Sequence, residues 1–224
     1  MTNGYTKSDR RGGFYWIDQK PYVSVTKVLE VLDKPALRYW FGKEVYLAMI
    51  KDPSLDEKTA LAKPYEKSDK AKNRGTTVHS IVESWKTTGG VVENEQYKGY
   101  ADAFRGWIED NHVTLKEHER TVVSKEHGYA GTLDLLVGVN GSGKTWVIDI
   151  KTGKDIYPEA FLQLSAYKQA LLEEGIETDK MAVLLLQENG TYKFAQGENQ
   201  LAEFLACKQL WMWKNKELLE KVMN

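Results

Sequence analysis

Asp134, Asp149 and Lys151 are the residues whose types and spacing could most readily do chemistry. Asp134 sits in Gly131-Thr132-Leu133-Asp134-Leu135-Leu136, and Asp149 in Val147-Ile148-Asp149-Ile150-Lys151. Both segments read as strands. Side chains alternate along a strand, so Val147, Asp149 and Lys151 share one face. A hairpin between the two strands brings Asp134 alongside. Two carboxylates held together repel unless a cation lies between them, and oxygen ligands suit a hard ion such as magnesium or manganese. A lysine beside such an ion orients an attacking water, helps deprotonate it, or offsets developing charge. Asp-x-Lys alone is an ordinary pair of solvated strand residues. This one is set apart by its flank, an apolar run with one acid inside it, because an unpaired buried acid is costly.

Weaker candidates surround this trio. Gln163 and Tyr167 stand at i and i+4 of the next helical segment, hence on one face, and both can donate to phosphate. His79 and Glu83 have the same spacing upstream, behind Arg74-Gly75-Thr76-Thr77, which reads as a helix entry. Glu119 precedes an apolar strand segment and adds a carboxylate. Each of these, taken singly, is an ordinary surface or half-buried residue.

One motif is rejected. Gly138 to Thr145 reads G-V-N-G-S-G-K-T, a letter-for-letter phosphate-binding loop. That loop works only when a helix follows it, because the helix N-terminus supplies the N–H groups that hold the phosphates. Here Trp146-Val147-Ile148-Asp149-Ile150 follows, β-branched and apolar, and reads as a strand. The glycines therefore close a hairpin, and no ATP site is expected.

The elements that must position these residues follow from pattern. Phe14 to Ile17 and Tyr22 to Ser24 form a β pair about a turn at Asp18 to Lys20. Helical spacing begins at Val25, breaks at Pro35, and resumes to about Ile50. A charged helix from Leu55 is expected to be interrupted at Pro64. A separate helix runs from Arg74 to Trp85 and ends at Gly89-Gly90, and another covers Gln96 to Asn111. Strands are expected over Thr121 to Val123, Tyr129 to Val139 and Thr145 to Ile150, the last two joined by a hairpin turn at Asn140-Gly141-Ser142-Gly143, where Asn-Gly favours the primed turns. Then come a helix from Pro158 to Glu173, strands Met181 to Gln187 and Tyr192 to Ala195, and a closing helix from Asn199 to Val222. In that helix Trp211 and Trp213 are candidates for an interface or for base stacking, with at least one packed in the core. The order predicts an α/β fold with a central mixed β-sheet flanked by helices and an N-terminal helical subregion.

Bulk properties limit the alternatives. The chain has 224 residues, 42% hydrophobic and 28% charged, enough for a substantial core in a soluble protein. No apolar run approaches the ~18 residues of a membrane span. Met1 to Gly13 is polar, without the apolar core of a secretory signal. The single cysteine, Cys207, excludes an internal disulfide and a four-cysteine iron–sulfur cluster. A cytoplasmic setting and no membrane partner are therefore expected. Net charge is −1, from 31 Lys+Arg against 32 Asp+Glu, which neither advertises nor excludes a nucleic-acid binder.

Taken in order, Arg74-Gly75-Thr76-Thr77-Val78-His79, Glu119, Gly131-Thr132-Leu133-Asp134, Asp149-Ile150-Lys151-Thr152 and Gln163-Leu164-Ser165-Ala166-Tyr167 resemble the RecB-like branch of the PD-(D/E)XK nucleases. Phage exonucleases and CRISPR-associated adaptation nucleases belong to that branch. The opening Ser24-Val25-Thr26-Lys27-Val28-Leu29, with Lys34-Pro35-Ala36-Leu37 and Trp40, is similar to phage-type members. The likeness spans roughly Ser24 to Ala170. It implies a restriction-endonuclease-like core within one nuclease domain over 1–224. Its parts would be 1–73 for the β pair and helical subregion, 74–196 for the catalytic core and 197–224 for the C-terminal helix. It implies that His79, Asp134, Asp149 and the Ile150 carbonyl bind Mg2+ or Mn2+, as a pair of ions. Lys151 would position the nucleophilic water. Glu119 would act in or beside the metal shell. Gln163 and Tyr167 would hold the DNA strand, and Arg74 a backbone phosphate. The implied activity is a DNA exonuclease leaving 5′-phosphates in phage or bacterial recombination, repair or replication. A single-strand annealing or single-strand-binding protein is an implied partner, and a homo-oligomeric ring is compatible. The competing readings are a structure-specific endonuclease using the same site, and a catalytically idle DNA-binding or assembly module.

Overall fold

The computed structural model describes residues 9–223. The polar stretch Met1 to Ser8, part of the segment read as lacking a secretory signal, lies outside the described residues, as does Asn224. The expected β pair is a three-stranded meander, β1 (Asp9–Arg11), β2 (Phe14–Ile17) and β3 (Lys20–Ser24). Asp18 and Gln19 both have positive φ, 49° and 64°, which is how a two-residue turn matches strand twist. A short helix α1 (Val25–Val28) follows, its Lys27 N–H bonded to Ser24 Oγ at 3.1 Å. Next come α2 (Pro35–Lys51), α3 (Glu57–Glu83), α4 (Trp85–Thr88) and α5 (Lys98–Asn111). The sheet continues with β4 (Val113–Ser124), β5 (Tyr129–Val139) and β6 (Thr145–Lys151), crosses over through α6 (Glu159–Glu173), and adds β7 (Lys180–Leu186) and β8 (Tyr192–Gly197). The helices α7 (Leu201–Lys214) and α8 (Lys216–Met223) close the described chain.

The described strands form one mixed sheet in the order β1-β2-β3-β5-β6-β7-β8, with β4 paired to the other edge of β5. β3 with β5 and β6 with β7 run parallel, and the remaining pairs are antiparallel. One face packs on α6 and α7 through Leu133, Leu164, Phe204 and Trp211, and the other on α3 and α5 through Val78, Phe104, Trp107 and Ile148. A mixed sheet covered by helices on both faces is the expected α/β architecture.

Four local expectations are corrected. Pro64 does not interrupt the helix, and no new helix starts at Arg74: α3 is one helix of 27 residues. Pro64 costs it one hydrogen bond. Burial of Ala60 and Pro64, the Phe41–Tyr65 edge contact at 4.7 Å with α2, and helix-favouring Glu, Lys and Ala residues beyond Pro64 carry the helix through. The strand expected at Thr121 begins at Val113, whose alternation with Leu115 is cut short in sequence by the charged run Lys116 to Arg120. The β5–β6 hairpin closes over Asn140-Gly141-Ser142-Gly143, but Asn140 lacks the positive φ of a primed turn. Val139 N–H reaches Lys144 O, and the positive φ values fall on Gly141 and Gly143. The closing helix breaks at Asn215, whose side-chain amide bonds Trp211 O at 2.8 Å and competes with the helix backbone. The strand at Thr145–Lys151 stands where a phosphate-binding loop would need a helix.

Candidate active site

The site lies where the sheet forks. β5 pairs β6 only from Gly138 to Leu135, and pairs β3 at Tyr129 and Ala130. Beyond Ile148 the two strands part, and Asp134 fills the gap: its Oδ2 accepts the Ile150 N–H at 2.6 Å, a donor that a continuing ladder would have used. Glu119 on β4 falls between the pairs His118–Leu135 and Arg120–Leu133, opposite Asp134. It has φ of 46°, a left-handed backbone that a non-glycine residue adopts at a cost. The long helix α3 delivers His79 from above. Its Nδ1 lies 3.4 Å from Glu119 Oε1 and 3.7 Å from Asp134 Oδ1, and its Nε2 lies 3.3 Å from the Ile150 carbonyl oxygen.

Asp149, 1% exposed, stands just behind this group. Its Oδ2 is 2.6 Å from Lys151 Nζ, and its Oδ1 accepts from Gln163 Nε2 at 3.1 Å. Gln163 Nε2 also lies 3.0 Å from Tyr167 OH. The Tyr167 ring packs on the backbone at Gly131, where a Cβ would come within 2.4 Å of Cε1, so glycine is needed for the approach. The structure thus brings Asp134, Asp149, Lys151, Gln163 and Tyr167 together, and His79 and Glu119 join them. Arg74 does not. Five residues ahead of His79, it is about 140° around the helix. It is close enough to Tyr100 to act on it electrostatically, and its Nε is buried without a hydrogen-bond partner. Glu83 is exposed.

The charges are strongly coupled. Burial, and then the neighbouring Asp149 charge, push Asp134 up to about 7. For His79, burial favours the neutral ring, but the Glu119 hydrogen bond and the Asp134 and Glu119 charges outweigh it and raise the pKa. Burial likewise works against the Lys151 ammonium, yet Asp149 and Asp134 raise its pKa, so without metal it is held charged. Burial, with Asp134 and Asp149 nearby, puts the Tyr167 hydroxyl well above its ordinary range, which leaves it a hydrogen-bond donor.

Oxygens of Glu119 and Asp134 and a ring nitrogen of His79 lie within 4.8 Å of one another. Two carboxylates, an imidazole and the Ile150 carbonyl form a donor set suited to a hard divalent ion. Glu126, His127 and Glu173 gather as closely elsewhere, but Glu173 is already engaged by Ser124 Oγ at 2.6 Å and Glu126 N at 3.1 Å. A cleft of about 210 Å³ opens over His79, Glu119, Asp134, Gln163 and Tyr167. Its far wall was missed from sequence: Arg10, Tyr15, Ser24 and Thr26, from the N-terminal strands. Tyr15 OH and Thr132 Oγ1 are 3.0 Å apart, and Arg10 Nη2 donates to Thr26 Oγ1 at 3.3 Å. The only sequence signal for this wall was the hydroxyl pair in Ser24-Val25-Thr26. No described helix is long and apolar enough to cross a membrane.

Among solved structures, the chain is similar to an alkaline exonuclease (LHK-Exo) from Laribacter hongkongensis, at 12% identity over 90% of this chain and 91% of that one, with a TM-score of 0.49. It is also similar to the protein SSO0001, at 16% identity over 85% and 75% of the two chains, with a TM-score of 0.40. No family model matches the chain, and no curated protein does.

Proposed function

We propose that this protein is a divalent-metal-dependent DNA nuclease, acting as an exonuclease that leaves 5′-phosphates. The observation that carries the reading is the convergence of His79, Glu119, Asp134, Asp149 and Lys151 from α3, β4, β5 and β6 at one sheet fork. Burial and the neighbouring Asp149 charge, which raise Asp134 to about 7, are a cost to folding that a bound cation relieves. The resemblance of these segments to the RecB-like PD-(D/E)XK nucleases supports the same reading. Asp134, His79, Glu119, Asp149 and the Ile150 carbonyl would hold Mg2+ or Mn2+. When bound, the ion supplies Lewis-acid charge that favours ionised water and neutralises phosphate oxygens. The chain's own groups do the rest. Lys151, held as an ammonium, donates to the attacking water or to a phosphate oxygen and offsets charge in the transition state. Gln163 donates to both Asp149 and Tyr167, which leaves the Tyr167 hydroxyl proton to donate to the strand. The N-terminal strands line one wall of the cleft and would contact the bound strand there.

Digestion of end-labelled single- and double-stranded DNA tests this, with manganese, with magnesium and with chelator. Metal-dependent release of nucleotides, lost in Lys151→Ala, is expected. Equal degradation by wild type and Lys151→Ala would sink the proposal. Rapid cutting of covalently closed circles would instead make the same site an endonuclease.

A further inference from the structure

The helix α2 has 17 residues and none of them is buried. On its outer face Tyr39, Lys43, Tyr46 and Ile50 recur at i, i+4, i+7 and i+11, within an arc of about 60°. Tyr39 is 74% exposed and Tyr46 64%. Between them Gly42 floors an open groove of about 470 Å³, with nothing within 4 Å of the position a Cβ would take. Arg38 and Lys43 line the same groove. The Arg38–Asp33 pair, at 2.7 Å, is exposed on both sides and so weak. Residues 34–74, which span α2 and most of α3, carry ten basic and six acidic side chains, whereas the whole chain has a net charge of −1. The basic charge is therefore concentrated on this arm.

We propose that the outer face of α2 binds a single strand of nucleic acid. Bases stack on Tyr39 and Tyr46, and phosphates meet Arg38 and Lys43. The surface rests on the nuclease reading only in taking that strand to be the substrate. Exposed aromatic rings interleaved with cations are what a strand-tracking surface needs, because every base offers a π-face and every phosphate a charge. Charge complementarity selects this occupant. A second copy docked arm to arm would set Arg38 and Lys43 against their own images, and like charges oppose such a contact. The arm is also continuous with the site. Tyr65, packed on Phe41 of α2, and His79 share α3, with about 21 Å of helix between them.

Fluorescence anisotropy of a labelled oligothymidine, about 20 nucleotides long, measured in chelator, isolates binding from cleavage. Tyr39→Ala/Tyr46→Ala should weaken the Kd at least about fivefold, while Tyr39→Phe/Tyr46→Phe keeps it. Arg38→Ala/Lys43→Ala should flatten the log Kd against log salt slope by about 1.4, or about 0.7 per lost phosphate contact on a single strand. Thermal melting of each variant checks folding, which these exposed side chains should not affect. An unchanged Kd and slope in both variants, or no binding by wild type, overturns the proposal. So does a change in oligomeric mass at unchanged Kd, which would make the face a contact between copies. Manganese-dependent cleavage on the same preparations keeps the two readings apart. Arm-dependent binding without cleavage sinks the nuclease assignment and leaves the strand surface standing.

Discussion

From Thr145 to Ile150 every residue of β6 is buried, whereas α2, with 17 residues, buries none. β6 is paired with β7 along its whole length and with β5 as far as Ile148, and beyond that Asp134 holds Ile150 N–H, so the strand that carries Asp149 and Lys151 is fixed from both edges. That precision is what a reacting group needs. The main packing partner of α2 is α3, and its large side chains stay in water, which is what an adaptable binding surface needs. One helix links the regimes: α3 is free-standing where it carries α2 and locked in the core at Val78 and Val82, on either side of His79.

The largest effect that tests this contrast is at Lys151. Lys151→Ala should lower the cleavage rate by about 10³, the scale for removing one preorganised electrostatic group. It should also destabilise the protein, because Asp149 loses the ammonium beside its Oδ2. Lys151→Arg separates the two roles, because it keeps a cation beside Asp149. It should recover stability in chemical denaturation but not cleavage, which needs the ammonium in place. Cleavage at the wild-type rate would reduce Lys151 to charge compensation.

Next in size is a packing pair across the two regions. Phe104, fully buried, stacks on Trp107 and meets the Trp85 edge. Phe104→Ala should cost about 3–5 kcal/mol, and Tyr39→Ala within about 0.5 kcal/mol. Urea denaturation measures both. A large loss at Tyr39 would mean that α2 is part of the core.

Gly131→Ala falls between the regimes, since its Cβ would meet the buried Tyr167 ring at 2.4 Å. Overpacking of this kind costs about 1–3 kcal/mol. Because Tyr167 holds Gln163, and Gln163 holds Asp149, kcat should fall alongside stability. Unchanged kcat in a destabilised Gly131→Ala would uncouple the ring from the site.

The same contrast explains what was legible in the sequence. β5 and β6 were readable because burial on both faces leaves apolar runs, and the acids stood out against them. Helix spacing put Gln163 and Tyr167 on one face, and the resemblance assigned them to the site. The resemblance also named Glu119, but no spacing rule did, because its placement depends on a left-handed residue in a bulged strand, and a charged run carries no period that announces either. Arg10 and Thr26 were invisible for another reason: they reach Asp134 only through the parallel pairing of β3 with β5, across about a hundred residues of chain. The α3 boundary was misjudged because local rules stop a helix at Pro64, and the packing of α2 that overrides them is tertiary. The basic arm was readable in principle, but the whole-chain charge of −1 averaged it away.

The smallest predicted effect is a pH dependence of the metal-free protein. Asp134 titrates near 7 in the folded state against 3.8 for an ordinary aspartate. Its folded pKa is raised, so the folded state holds a proton that the unfolded state has released. Stability from this group is fully present below about pH 4 and is lost as pH rises through 7. His79, also raised, acts in the same direction. In chelator, the protein should therefore be more stable at pH 6 than at pH 8, by about 1 kcal/mol from Asp134 on the linkage scale. Asp134→Asn, which has no charge to bury, should flatten most of that slope and melt higher than wild type at pH 8. Added manganese should flatten it in wild type as well, because the cation replaces the proton between the carboxylates. The β4–β6 fork would then be strained by charge when empty and relieved when loaded. A wild-type slope that persists undiminished in Asp134→Asn would place the titration elsewhere and remove the cation-shaped strain from the fork.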